Sequence, residues 1–181
     1  MGCDIHIFVE IRKNDKWEYF NEDHFSNVYS HIGESEKTNA PFDWRSYNMF
    51  SFLAGVRGGD IKPIKEPACD IPEDVSENVK NKKESWDGDG HSHSFLTARE
   101  LVEFDYNQDL REPGQEFSTN SRNTLLEKMI IEEEKDDYND DNCKTYFDYL
   151  GGPDTMFFKH IKELSELGNL DDVRVVFWFD N

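Results

Sequence analysis

The two ends of the chain constrain the fold most, because each has the pattern of a β-strand. Near the start, apolar residues alternate with mostly polar ones: Cys3, Ile5, Ile7, Val9 and Ile11 against Asp4, His6, Phe8 and Glu10. A side-chain period of two is that of a strand with one face on a core. The pattern predicts a strand over about 3–12.

The C-terminal stretch VRVVFWFDN is β-branched and aromatic, which favours a strand over about 172–179 in a central position of its sheet. The two terminal strands have matched alternation, and both need to be buried. We therefore expect them to be neighbours in one sheet. A turn after residue 13 predicts a hairpin into a second strand near 16–20, and residues 21–45 are polar and irregular.

Helix signals fill the middle of the chain. Ser46 is a candidate cap for a helix that Gly58-Gly59 would stop, and a short helix is predicted near 73–80 inside the long loop 60–90. Thr97 and Glu100 form a capping box that starts a helix to about residue 104.

Two further helices are amphipathic. The stretch NTLLEKMIIEEEK predicts one over 123–135. The other follows Asp154 as its cap and ends at Gly168, with Phe157, Ile161 and Leu164 facing inward. Strands at the termini with helices between them predict a single α+β domain over 1–181. Its sheet would be small and mainly antiparallel, with the helices packed on one face.

The formal net charge of −19 limits the partners of this chain. A surface this negative repels DNA and anionic membranes, so direct binding to a nucleic-acid backbone is not expected. Cation binding, a basic protein partner and mimicry of nucleic acid remain open. The chain has no apolar stretch of membrane-spanning length, and its start has no signal-peptide pattern. These features favour the cytoplasm.

Two clusters could bind a divalent metal of the zinc or manganese class. On a strand, Asp4 and His6 share a face, and a metal favours such a mixed pair. The segment Gly90-His91-Ser92-His93 is expected to be an irregular loop that brings both imidazoles to one ion, with Asp89 as a ligand or an orienting group. The alternatives are an exposed polar sheet face and a solvated turn.

Together the two clusters resemble the first and last motifs of the calcineurin-like metallophosphoesterases. The resemblance implies metal ligation by Asp4, His6, His91 and His93, and Asp60 would match the Gly-Asp metal-bridging motif. No Gly-Asn-His follows Asp60, so that family's bridging asparagine and catalytic histidine have no match here.

Over the whole chain, MGCDIHIFVE, FLAGVRG, DGHSHSFLT and DDVRVVFWFDN are similar to a family of small bacteriophage-encoded proteins. This resemblance implies an accessory protein in the cytoplasm of the bacterial host, and it assigns no catalytic residue.

Two functions follow as hypotheses. In the first, a metal held by Asp4, His6, His91 and His93, with Asp60 or Asp89 completing the shell, activates water to hydrolyse a phosphoester or nucleotide. Asp89 and His91 are the candidate catalytic residues. In the second, a non-catalytic anti-defence module sequesters a small phosphorylated ligand, such as a signalling nucleotide, or binds a host protein. We also expect His91 and His93 to lie within reach of Asp4 and His6, so that the two clusters line one pocket on the sheet face away from Ile5 and Ile7, where a metal and a substrate phosphate would meet.

Overall fold

A computed structural model describes residues 2–58, 61–68, 70–86, 88–110, 145–152 and 154–181. The main sheet contains β1 (Ile5–Lys13), β2 (Lys16–Tyr19), β5 (His91–Thr97) and β6 (Val173–Phe179), in the order β2-β1-β6-β5 with every neighbouring pair antiparallel. A small second sheet pairs β3 (Phe25–Ser26) with β4 (Lys37–Thr38).

The terminal strands are adjacent, as the sequence predicts. Ile5 is opposite Phe179 and Ile11 is opposite Val173, and β6 is buried along its whole length. The expected hairpin follows β1. Its turn residues Asn14 and Asp15 both have positive φ, at 50° and 60°, which suits a tight hairpin turn.

The described α-helices are α1 (Tyr47–Ala54), α2 (Glu77–Glu84), α3 (Ala98–Glu103), α4 (Tyr146–Tyr149) and α5 (Met156–Ser165). Ser46 caps α1, and Thr97 with Glu100 forms the predicted capping box of α3. The amphipathic helix predicted over 123–135 lies outside the described residues. None of the helices in the described ranges is long and apolar enough to cross a membrane.

Three predicted helix ends are shifted. Helix α1 stops at Gly55, which has φ 66°, and not at Gly58-Gly59. A glycine reaches this left-handed conformation without a steric penalty, so the nearest one ends the helix. Helix α5 begins after Thr155 in place of Asp154, and it ends at Ser165, before Gly168.

The sheet has a layer on each face. The main core packs α1, α3 and α5 against the face that carries Ile5, Ile7 and Val9, and we call this the core face. The opposite face carries Phe8, Val176 and Trp178, and Val79 of α2 packs there. The prediction that helices cover one face therefore holds for the main core, while α2 covers the second face.

Candidate functional site

The two histidines near residue 92 lie in a strand, and the prediction of an irregular loop there is wrong. His91 is opposite Phe179 and Ser94 is opposite Phe177, so the pair Ser92 and His93 is opposite the single residue Trp178. This two-against-one pairing is a β-bulge. Ser92 accommodates it with a φ of 52°.

The bulge sends the two imidazoles to different faces of the sheet. The His91 ring stacks with its centroid 6.2 Å from the ring of Phe179, which belongs to the core face. The His93 ring lies 5.8 Å from the ring of Trp178, which belongs to the opposite face. The strand thus gives the two rings different neighbours, and their convergence on one ion stays a prediction.

Each imidazole has a distinct environment. His91 Nδ1 lies 3.0 Å from Ser92 Oγ, while its Nε2 is buried and has no hydrogen-bond partner among the described residues. Burial lowers the pKa of His93 because it disfavours the charged ring. Asp89 is exposed in the turn before β5, where its amide donates to the Trp86 carbonyl.

Asp4 is paired with an arginine. Arg45 Nε donates to Asp4 Oδ1 at 2.9 Å and Arg45 Nη2 donates to Asp4 Oδ2 at 2.7 Å, so a guanidinium fork engages both carboxylate oxygens. These hydrogen bonds hold the pKa of Asp4 below its usual value. Both side chains are about half exposed, so the pair contributes little to stability.

His6 is held by the other end of the chain. Its Nε2 lies 3.1 Å from Asp180 Oδ2, and Asp180 Oδ1 accepts from the Asp4 amide at 3.1 Å. The His6 ring lies 3.9 Å from the Trp86 ring and 6.3 Å from that of Trp178. Trp178 thus has His6 and His93 beside it on the same face of the sheet.

Asp4 and His6 open onto a cavity of about 500 Å³, which we call the acidic cavity. Its wall includes Asp4, His6, Tyr29, Asp43, Trp44 and Arg45. Burial raises the pKa of Asp43; the charge of His6 opposes that rise and the charge of Asp4 adds to it. The cavity therefore combines two carboxylates that have opposite pKa shifts with two aromatic rings.

Two fixed points position the loop that carries Asp43, Trp44 and Arg45. On one side, Phe42 is fully buried with φ 58°, and its amide donates to His160 Nδ1 at 2.8 Å. On the other side, Ser46 accepts from the third residue of α1 as its cap. The three side chains between these points are thus presented by a loop with fixed ends.

A second cavity, of about 370 Å³, shares Trp44 with the first. We call it the apolar cavity, and its wall includes Val28, Trp44, Met49, Leu150, Met156 and Phe157. The indole of Trp44 is the common wall. Among the exposed large hydrophobic side chains of the described residues, Tyr29 lines the acidic cavity with Trp44, and Tyr47 begins α1.

The described residues contain no group of three His, Cys, Asp or Glu side chains that could hold a metal ion. Asp60, the predicted bridging ligand, lies outside the described residues. A divalent metal bound by Asp4, His6, His91 and His93 stays a prediction. In the arrangement described, Arg45 engages Asp4, Asp180 engages His6, and His91 lies on the core face.

Zinc loading tests this prediction. If His91 and His93 share one ion, replacing both by alanine abolishes zinc uptake, because two of the ligands are lost. Elemental analysis after chelation, zinc addition and desalting measures the uptake. His31→Ala is the control, since His31 is exposed and lies outside β5, in a short 3₁₀ helix. Zinc content that is the same in the double variant and in the control would exclude the shared site.

The sequence analysis did not select Tyr29, Asp43, Trp44, Arg45 or Asp180. The first four lie within or beside the irregular stretch 21–45, where neither strand nor helix periodicity marks a face. One sequence feature could have indicated these residues. The segment Phe42-Asp43-Trp44-Arg45 places large aromatic and charged side chains directly before the predicted helix cap Ser46. Loop residues held by a rigid scaffold commonly bind ligands.

No family model, no curated protein and no solved structure matches this chain. The geometry of the two cavities therefore carries the functional argument.

Proposed function

We propose that this protein is a non-catalytic binding module that takes a basic side chain of a partner protein into the acidic cavity. The observation that carries the proposal is the composition of the cavity wall, where Asp43 lies beside Tyr29 and Trp44, and where Asp4 is paired with Arg45. The resemblance to phage-encoded proteins adds that the partner is a host protein in the bacterial cytoplasm.

The chemistry of the wall favours a cation. The Asp43 side chain is exposed, and partial desolvation by its neighbours raises its pKa, which reflects a cost of keeping its charge there. An incoming guanidinium or ammonium group would offset that cost. Aromatic faces such as those of Tyr29 and Trp44 attract the same cations through their π-electrons.

The overall charge supports the same class of partner. A net charge of −19 accelerates the encounter with a basic surface and slows the encounter with an anionic one. A small phosphorylated ligand has less support, because the one arginine of the cavity wall is already paired with Asp4, and Asp43 would repel a phosphate. Metal-dependent hydrolysis has less support than binding. Of the predicted metal ligands, Asp4 is paired with Arg45, His6 is paired with Asp180, and His91 lies on the core face.

Titration with the tripeptide acetyl-Gly-Arg-Gly-amide tests the proposal. The chain has four tryptophans, so a ¹⁵N-labelled sample gives four indole signals, which can be assigned by substitution. We expect the Trp44 signal to shift with the arginine peptide and not with its citrulline analogue, which has the same shape without the charge. Affinity should fall as salt rises, because added ions screen the attraction.

Asp43→Asn is expected to weaken this binding by about tenfold, equivalent to about 1.4 kcal/mol. Glu66→Gln makes the same change in net charge at an exposed site outside the cavity wall, and it should leave the affinity unchanged. Equal binding of the arginine and citrulline peptides, or an equal effect of the two substitutions, would refute the proposal.

A further inference from the structure

The apolar cavity lies directly beside the acidic cavity, and the two share Trp44 as a wall. A third, smaller cavity of about 90 Å³ also has Trp44 in its wall and meets the acidic cavity at Tyr29 and Asp43. Trp44 therefore lines three adjoining cavities, one of which contains Asp4 and Asp43 while another has mostly aliphatic and aromatic side chains in its wall, and we call the three together the groove.

We propose that this groove binds an extended segment of the partner protein that carries a basic residue and, two positions along, a large apolar residue. The basic side chain occupies the acidic cavity and the apolar side chain occupies the apolar cavity. This inference rests on the function proposed above and adds the identity of the recognised segment.

The spacing follows from the geometry of an extended peptide. Side chains at positions i and i+2 of a strand-like segment point the same way and are separated by about 7 Å. The two cavities meet at a single residue, Trp44, so side chains that occupy them are neighbours. A segment crossing the groove can therefore place one side chain on each side of Trp44, and the intervening side chain points away from the groove.

The apolar cavity suits such an anchor. Val28 and Met156 are partly exposed in its wall, while Met49 and Phe157 form its buried floor and belong to the main core. Methionine side chains adapt to ligands of different shape. The exposed rings of Tyr29 and Tyr47 extend the apolar surface beyond the cavities, and aromatic side chains are enriched in protein interfaces.

Charge complementarity selects a protein segment over other occupants of an apolar groove. The acidic cavity requires a cation within reach of the apolar anchor, and an anionic membrane surface would be repelled by the charge of −19. A basic residue followed at i+2 by leucine, isoleucine or phenylalanine meets both requirements.

Three peptides test the inference on the full-length protein: acetyl-Arg-Gly-Leu-amide, acetyl-Arg-Gly-Gly-amide and acetyl-citrulline-Gly-Leu-amide. Methyl-¹³C-methionine labelling gives signals for Met49 and Met156, assigned by substitution to leucine, and the indole of Trp44 reports on the acidic cavity. We expect Arg-Gly-Leu to shift all three signals and to bind at least tenfold more tightly than Arg-Gly-Gly, which should shift Trp44 alone.

Met156→Trp fills the apolar cavity and should remove the advantage of Arg-Gly-Leu while leaving Arg-Gly-Gly unchanged. Circular dichroism checks that the variant folds. If it does not, the comparison of the peptides on the wild-type protein decides the inference by itself.

The outcomes separate the two proposals. Equal affinity of Arg-Gly-Leu and Arg-Gly-Gly, with no shift at Met49 or Met156, overturns the apolar subsite and leaves the basic side-chain site standing. Binding of neither arginine peptide overturns both. Shifts of the same signals with protein concentration alone would show that a second copy of this chain occupies the groove, and would overturn the inference.

Discussion

Replacing Arg174 by methionine is expected to lower the free energy of unfolding by about 3–5 kcal/mol, because it leaves a buried carboxylate without its partner. Glu10 is 0% exposed and Arg174 is 3% exposed, and the two residues are opposite each other on β1 and β6. Arg174 Nε donates to Glu10 Oε2 at 2.8 Å. Urea denaturation of the variant and the wild type measures the difference.

Further contacts of this ion pair explain why it is buried. Arg174 Nη1 donates to Asp74 Oδ1 at 2.8 Å, and its guanidinium carbon lies 3.9 Å from the centre of the Trp17 ring. Glu10 Oε1 accepts from the Ser76 amide at 2.7 Å. The pair thus fixes the segment before α2 onto the second face of the sheet.

Arg12→Met is the matched control. Arg12 Nε donates to Asp172 Oδ1 at 2.7 Å, but this pair is exposed, and its loss should cost less than about 1 kcal/mol. Adding Glu10→Leu to Arg174→Met should recover part of the stability, since no unpaired buried charge then remains, and Asp74 is exposed. An Arg174→Met variant as stable as Arg12→Met would contradict the burial of the pair.

The same pair shows what strand periodicity can and cannot predict. Alternation placed Glu10 on one side of β1 and Arg174 on one side of β6, and the adjacency of the two strands is confirmed. This side of the sheet is not polar along its whole length, as the alternative of an exposed polar face would require. Phe8, Val176 and Trp178 lie on it too, and their large apolar area requires a second covering layer.

The division of His91 and His93 between two faces was not predictable from spacing. In a regular strand, residues i and i+2 share a face, and only the extra residue of the bulge separates them. No residue pattern marks this bulge, because Ser92 is not a glycine and yet adopts a positive φ. The terminal strands can be predicted because they follow a local periodicity in the sequence. The faces on which His91 and His93 lie depend on how β5 pairs with β6, which local periodicity does not determine.

The residues that form the acidic cavity could not be grouped from the sequence, because they are far apart along the chain. Asp4 and His6 were selected as one side of a strand, but their neighbours Asp43 and Arg45 come from a loop about forty residues away. Asp180 approaches from the other end of the chain. These long-range contacts depend on the position of the loop that carries Asp43 and Arg45. His160 holds that loop in place through its hydrogen bond with the Phe42 amide.

Replacing His160 by phenylalanine is expected to lower the free energy of unfolding by about 2–6 kcal/mol, because it leaves two buried backbone groups unpaired at about 1–3 kcal/mol each. His160 is 1% exposed; its Nδ1 accepts from the Phe42 amide at 2.8 Å, and its Nε2 lies 2.6 Å from the Ser26 carbonyl oxygen. An amide can only donate, so Nδ1 carries the lone pair and Nε2 carries the hydrogen. Phenylalanine keeps the ring and removes both hydrogen bonds.

The hydrogen bonds of His160 also predict that the stability of the protein depends on pH. Burial lowers the pKa of His160, and protonation would set an Nδ1 hydrogen against the Phe42 amide hydrogen. A histidine with a lowered folded pKa contributes its full stability above the unfolded value of about 6.5, and that stability falls as pH drops from there towards the folded pKa. The slope contributed by one such group is at most about 1.4 kcal/mol per pH unit.

Chemical denaturation at a series of pH values between about 7 and 5 tests both parts of this prediction. The His160→Phe variant should be less stable at pH 7 and should lose less stability on acidification than the wild type. Some acid sensitivity will remain, because the pKa of His93 is also lowered by burial. His31→Phe, at an exposed histidine, should change neither quantity. If the His160→Phe variant keeps the wild-type pH slope of stability, His160 does not supply the acid sensitivity. If the variant keeps the wild-type stability at pH 7, His160 does not hold the Phe42 loop in place.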